Sequence, residues 1–321
     1  MDIAVSYHDS LTKLQALDWP AEGPFDRLDW FALLDKPLIA MAEGGGERVA
    51  LALHETDDGL ASLTNWFSFT WRPLGREPRL LTALARDLHQ RTHRVTLSPL
   101  PDEDGSASTV EDAFLDAGWL VLREPCDENH VLPVAGRSYA DYWATRPGKM
   151  RTTLKRKAKK VEVEILTHFD EASWQDYQAI YAESWKPEEE RADILETFAR
   201  AEGKAGRIRI GIARADGVPV AAQFWTVEGG TAYIHKLAHT EAAKPLSAGT
   251  TLSAALFEHV IDTDGVELVD FGTGGDAYKR DWMEVNRPRY RLTCFDWRKP
   301  HAWPALAKAM VRRLAPHKRP S

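Results

Sequence analysis

The chain of 321 residues has two cysteines, five methionines and no unbroken apolar run near the length of about eighteen residues that a membrane helix needs. No membrane span is therefore expected. Cys126 and Cys294 supply one disulfide at most, too little for a disulfide-stapled scaffold, and both are expected as reduced thiols. Cys294 sits in the alternating stretch RLTCFDW and reads as a strand-buried thiol, not a nucleophile. The first ten residues, MDIAVSYHDS, lack a basic region followed by an apolar run, so no secretory signal is visible and the cytoplasm is the expected compartment. An excess of positive charge is also missing. With 41 Lys and Arg against 48 Asp and Glu, the net charge of −7 argues against nucleic acid as the main partner.

Apolar content of 44% and charged content of 28% are those of an ordinary globular protein, and the length suggests two domains. Twelve tryptophans favour broad aromatic packing or substrate grooves over disorder. Alternation and turn residues predict strands at 36–42, 47–54 and 60–66, a helix over 78–93, a strand over 94–100 and a helix over 109–117. A closing pair of strands, 119–123 and 130–134, follows. After a boundary near 136–139 come helices over 139–145 and 149–160, a strand over 161–168, helices over 171–185 and 188–201, and strands over 207–215 and 218–228. A strand at 232–239, a helix over 251–261, a strand over 266–272, a short helix and a strand over 287–297 complete the series. Both halves give three strands, helix, strand, helix and strand, an architectural likeness and not a sequence repeat.

The stretch 232–282 carries the chemistry. The strand AYIHKLAH feeds a small-residue turn that opens a helix, pointing several backbone N–H groups at one place. Ser247, Ala248, Gly249 and Thr250 are small enough to let an anion approach. Gly272, Gly274 and Gly275 end the next strand, and Asp276, Tyr278 and Lys279 follow. An anion cradle beside a tyrosine and a lysine suits a transferase for a phosphate-bearing donor. Asp276 is placed to cap a helix beginning at Ala277 or to act as a base. His235 and His239 flank Leu237 at a spacing that puts both on one strand face, as hydrogen-bonded structural histidines or as a base. The pair lacks a third ligand, so no metal is expected.

Between Arg146 and Lys160 there are eight basic residues and no acid, with Met150, Leu154 and Ala158 as an apolar stripe. The exterior is either a solvated face or, with Arg151, a contact for an anionic acceptor, an acyl carrier protein or RNA. Trp185 and Lys186 are candidates to line an acceptor groove, and Gln223 is an isolated polar residue in an apolar strand. The tail from Lys299 includes a short basic helix with Trp303, Leu306, Met310 and Leu314 on one side. It packs on its own domain or touches an acidic partner or an anionic membrane surface.

HKLAH at 235–239, LSAGT at 246–250 and DFGTGGDAYKRDW at 270–282 resemble the GNAT-type acyltransferases of the FemAB-like group. ESWK at 183–186, MRTTLKRKAKK at 150–160 and AAQFW at 221–225 fit that group as well. More narrowly, these segments resemble the bacterial acetyltransferase family first associated with cellulose biosynthesis. The resemblance covers roughly 139–298. It implies an α+β protein of two tandem GNAT-like domains, each a mixed central sheet flanked by helices: a degenerate one at 1–136, an acyltransferase domain at 137–298, and a basic tail at 299–321. It also implies an acyl group, acetyl by expectation, moved directly from acyl-CoA or an acyl carrier protein to an amine or hydroxyl of a small-molecule or cell-envelope acceptor. The pantetheine arm would run along Lys236, Leu237 and His239, with the phosphates at Ser247–Thr251. Tyr278 would be the general acid, with Lys279 stabilising negative charge. The usual GNAT loop has more glycine; here Gly249 is alone. Fem-type relatives take aminoacyl groups from transfer RNA, which makes that the alternative activity. A third reading is a catalytically silent module that holds a carrier protein.

Overall fold

The computed structural model describes residues 3–314 apart from 13, 15, 16, 18 and 20. The chain forms two compact units, 1–127 with 288–321, and 128–287. It is a mixed α/β protein in which helices flank a mixed sheet.

The first unit contains β1 (Ala4–His8), α1 (Leu28–Phe31), β2 (Leu38–Gly44), β3 (Glu47–Thr56), β4 (Gly59–Ser62), α2 (Pro78–Leu88), β5 (Arg94–Leu100) and α3 (Ser106–Asp116). β1 to β4 pair antiparallel in sequence order, and β4 pairs parallel with β5. Inside this unit Asp26, 4% exposed, accepts from the Arg72 guanidinium at 3.1 Å, and Arg72 also donates to Asp104 at 2.7 Å.

The strand β6 (Leu120–Pro133) starts in the first unit and ends in the second. Two short strands were expected here, at 119–123 and 130–134. The stretch EPCDEN between them lacks glycine, and Pro125 has a backbone angle that suits an extended chain.

In the second unit follow α4 (Tyr139–Ala144), α5 (Gly148–Lys157), β7 (Glu162–Leu166), α6 (Glu171–Ala182), α7 (Ala192–Lys204), β8 (Ile208–Ala215), β9 (Val218–Glu228), β10 (Thr231–His239), α8 (Ala248–Glu258), β11 (Leu268–Thr273) and α9 (Lys279–Trp282). β7 to β10 form an antiparallel meander, β10 pairs parallel with β11, and β11 pairs antiparallel with β6. The two-residue turns Asp216–Gly217 and Gly229–Gly230 join β8, β9 and β10; all four residues have positive φ, which matches the strand twist. β12 (Val285–Phe295) and α10 (Trp303–Leu314) complete the chain, and β12 pairs antiparallel with β5 inside the first unit.

Side chains of β9 alternate between the helices that cover the second unit's sheet. Trp225 meets Phe257 of α8 edge-on at 5.2 Å, while Phe224 meets Trp174 of α6 at 5.5 Å. α8 lies close on β8 because position 211 is glycine: a Cβ there would stand 2.8 Å from Leu252 and 2.9 Å from Leu256. Tyr142, Phe257 and Trp282 stack in the core, and the Tyr142 hydroxyl donates to Trp282 O at 2.9 Å. Met150 and Leu154 pack α5 against the same core, as the apolar stripe predicts. Among the described residues, no helix is long and apolar enough to cross a membrane, and no group of three or more His, Cys, Asp or Glu is placed to hold a metal ion.

Candidate functional site

β10 and β11 pair only from Thr231↔Leu268 to Tyr233↔Asp270. Beyond Ile234 the β10–β9 ladder shifts register, so His235 is an extra residue in the strand. From there β10 continues on β9 and β11 continues on β6, with no pairing between β10 and β11 among the described residues. A cavity of about 450 Å³ lies beside this parting, walled by Leu237 and His239 of β10, Phe271 of β11 and the opening turn of α8.

The cradle forms as its residue types suggest. Ser247 adopts φ 56°, turns the chain sharply, and α8 begins at Ala248. The first turn of an α-helix leaves its N–H groups without intrahelical partners and carries the positive end of the helix dipole. Ser247, Ala248, Gly249 and Thr250 all line the cavity. A Cβ on Gly249 would meet His239 Cδ2 at 3.2 Å, so glycine keeps the cradle open. Thr251, 7% exposed, faces the core, and its Oγ1 has no hydrogen-bond partner among the described residues. Gln223 supports the turn from below: its Nε2 donates to Gly249 O at 3.3 Å and to Ser253 Oγ at 2.7 Å. It is 1% exposed and is spent on the cradle, not turned to an acceptor.

Cations surround this anion-seeking turn. Lys157 of α5 donates to Ser247 Oγ at 3.1 Å, and Lys149 and Lys244 reach the cavity wall. Arg151 points elsewhere: it is exposed, with Nε donating to Arg146 O at 3.1 Å. Lys149, Thr153, Lys157 and Phe271 were not singled out in the sequence; the basic run that contains three of them was the available signal.

The bulge separates the two histidines that simple alternation puts on one face. His235 stacks on Phe224 at 4.9 Å and bonds Thr226 Oγ1 at 2.8 Å, on the side covered by α6 and α7. His239 lies in the cavity wall, its ring 4.4 Å from that of Trp185. Lys236 shares the side of His235. Its Nζ pairs with Glu189 Oε1 at 2.7 Å, with the two side chains 8% and 10% exposed, and Tyr177 bonds the same carboxylate at 3.2 Å. Lys186 lies near this pair, its Nζ 5.9 Å from the centres of the Tyr181 and Trp185 rings. Burial first, then the charge of Lys236, lowers its ammonium pKa to about 8.

Tyr278 lines the cavity, its ring edge-on to Phe271 at 5.7 Å. Burial raises the phenol to about 12, with the negative charge of Asp276 adding to the effect, so the hydroxyl keeps its proton at neutral pH. Lys279 is buried and donates to Thr273 O. Asp276 does not cap a helix at Ala277: α9 starts at Lys279, its N-cap residue is Tyr278, and the Asp276 carboxylate lies 3.9 Å from Lys279 Nζ. The two cysteines lie in the first unit and are free. Cys294 is fully buried, and burial raises both thiol pKa values.

Residues 148–280 match the family model of the acetyltransferase (GNAT) domain. The protein thus carries a GNAT-type acetyltransferase domain, and the chain is an enzyme of the transferase class. Three solved structures share its fold over most of their length. FemX aligns with a TM-score of 0.63 at 10% identity, covering 91% of this chain and 97% of that one. The C-terminal domain of a protein described as a lysylphosphatidylglycerol synthetase, from Agrobacterium fabrum, gives 0.60 at 14% identity, covering 90% and 92%. L-PGS from Bacillus licheniformis gives 0.55 at 13% identity, covering 89% and 90%. No curated protein matches the chain.

Proposed function

We propose that the protein moves an acyl group, acetyl in the simplest case, from a phosphopantetheine thioester directly to an amine or hydroxyl acceptor. One observation carries this reading: the N-terminal turn of α8 and the parting of β10 from β11 open into the same cavity. A phosphate suits the helix N-terminus with Lys157, Lys149 and Lys244 around it. The amides of a pantetheine arm can pair with β10 where β11 no longer does, as an added strand would. Lys236, Leu237 and His239 mark that stretch, and Ser247 to Thr250 mark the phosphate end. Tyr278 is the general acid that protonates the departing thiolate, and Lys279 with the Asp276 pair sets the charge beside it. His235 acts on the far side of the strand as a positioning group. Trp185 and Lys186 are the acceptor-side candidates. Acyl-CoA is the primary donor, with acyl carrier protein as the second, and no metal takes part.

The repeated pairing pattern, an antiparallel run followed by a parallel and then an antiparallel pair, supports reading the chain as two GNAT-like domains, with 1–136 degenerate, 137–298 catalytic and 299–321 a basic tail. A cell-envelope acceptor and a cytoplasmic site of action complete the proposal. The exposed basic surface of α5 favours one alternative, aminoacyl transfer from charged tRNA.

Turnover and intact mass after incubation with acetyl-CoA, acetylated carrier protein and aminoacyl-tRNA discriminate these readings. Consumption of acetyl-CoA or the carrier thioester across an amine panel supports direct acyl transfer. A salt-sensitive gel shift with tRNA and aminoacyl release moves the activity to the alternative. No donor consumed over background leaves a binding module.

A further inference from the structure

Helix α10 presents its larger apolar face to water. Its half-buried positions are Ala305, Leu306 and Ala309, a patch of mostly small side chains. Trp303, Met310 and Val311 are 58%, 45% and 67% exposed, and Ala307 is exposed between them. At 100° per residue these four fall on one stripe, turned away from the packed patch. Trp297, 52% exposed, extends the stripe: Trp303 Nε1 donates to Trp297 O at 2.9 Å, and the Arg298 guanidinium lies 5.1 Å from the Trp297 ring centre.

The sequence around this stripe has one sign of charge. From Trp297 on there are seven Lys and Arg and no Asp or Glu, in a chain whose net charge is −7. Lys299 is used internally, donating to Thr92 O at 3.0 Å, while Lys308 is exposed beside the stripe. A stripe with two tryptophans and a purely basic flank has the make-up of a helix that lies in a membrane interface: indole rings favour the headgroup level, and each surface Lys or Arg gains from an anionic leaflet. An acidic protein matches the charge but gives no reason for two exposed indoles beside it.

We infer that α10 and Trp297 dock this protein on an anionic lipid surface, with the helix in the plane of the interface. The inference does not depend on the proposed acyl transfer. Sedimentation of the full chain with vesicles tests it, comparing phosphatidylcholine alone with a mixture containing about one-third phosphatidylglycerol. At low ionic strength the bound fraction is expected to be at least about fivefold higher on the anionic vesicles, and to fall as salt shortens the screening length. Trp303→Ser with Met310→Ser, and separately Lys308→Glu, should each lower binding several-fold without moving the thermal melting point. Quenching of wild-type tryptophan fluorescence by brominated anionic lipid supplies a readout that needs no variant. Equal binding to both vesicle types, no binding to either, or unchanged binding by the variants overturns the inference. Capture of an acidic protein through Trp303 and Lys308, with vesicles left untouched, overturns it as well.

Discussion

Lys157 and Ser247 are joined by a 3.1 Å hydrogen bond from the ammonium to the hydroxyl that precedes α8. The bond fastens the basic helix α5 to the turn whose N–H groups form the cradle. It also sets a positive charge next to the place proposed for a donor phosphate. Lys157→Met should therefore raise the donor dissociation constant about tenfold, as expected for the loss of one charge-assisted contact. Calorimetry at two salt concentrations checks this, with a smaller difference at high salt. An unchanged affinity would place the donor phosphate elsewhere.

Gly249 tests the cradle from the backbone side. A carboxylate at this position adds bulk against His239 and negative charge at the helix N-terminus. Gly249→Glu is expected to weaken donor binding by at least about tenfold, while the melting temperature stays within a few degrees. Donor titration by fluorescence reads the first quantity and calorimetric scanning the second.

Tyr278 is held protonated by burial, with a pKa raised to about 12. Such a phenol can give a proton to a leaving thiolate through the whole neutral range. Tyr278→Phe should lower kcat about a hundredfold and leave donor affinity nearly as it was. Equal turnover by the variant would remove Tyr278 from the chemistry.

Lys186 has an ammonium pKa lowered to about 8, so near pH 8 about half of it is neutral, against well under one per cent of an ordinary lysine. It should react with an amine-directed reagent several-fold faster than Lys149 at that pH, as read by peptide mass mapping. Lys236→Met removes a neighbouring positive charge and frees the Glu189 carboxylate. Both changes raise the Lys186 value, so the labelling midpoint should move to higher pH. A midpoint that stays near 8, or falls, would contradict the assigned cause.

Asp26 makes a stability prediction in the first unit. Burial, the largest influence, raises its pKa from 3.8 to about 6 despite the nearby Arg72. The folded state then holds its proton in a range where the unfolded chain has lost it. The group's stabilisation is full below pH 3.8 and is lost as pH rises through 6. Relative to Asp26→Asn, the wild type should lose on the order of 3 kcal/mol between those limits. Urea unfolding at several pH values measures the gap, and parallel profiles for the two proteins would refute the assignment.

Local chemistry made much of this architecture readable. The expected bounds of β5 and β9 coincide with the observed strands, and the Asp216–Gly217 and Gly229–Gly230 turns marked hairpins because few other residues accept two positive φ angles in succession. Small residues after β10 pointed to the cradle, and Trp185, Leu237, His239 and Tyr278 do meet at one cavity. What stayed hidden depends on partners far along the chain. A boundary was expected near residue 136, whereas the compact units divide at Asp127–Glu128, inside the unbroken β6. The stretch 188–191 read as helix, but α7 starts at Ala192, which leaves Glu189 outside the helix and paired with Lys236, forty-seven positions later. Asp276 had the composition of a cap, but the glycine loop delays the helix to Lys279.

His235 in β10 has a consequence for how this strand tolerates change. One supernumerary residue reverses the parity of inside and outside, so odd positions before it and odd positions after it belong to opposite walls. Removal of that residue would restore an even count. Leu237 and His239 would then exchange walls with Lys236 and Ala238, sending the Lys236 ammonium away from Glu189 into the donor side and an imidazole out of it. Point substitutions at His235 leave the parity intact, whereas a one-residue deletion inverts the strand beyond it. The length of β10, more than the identity of any one side chain within it, thus keeps the two walls distinct.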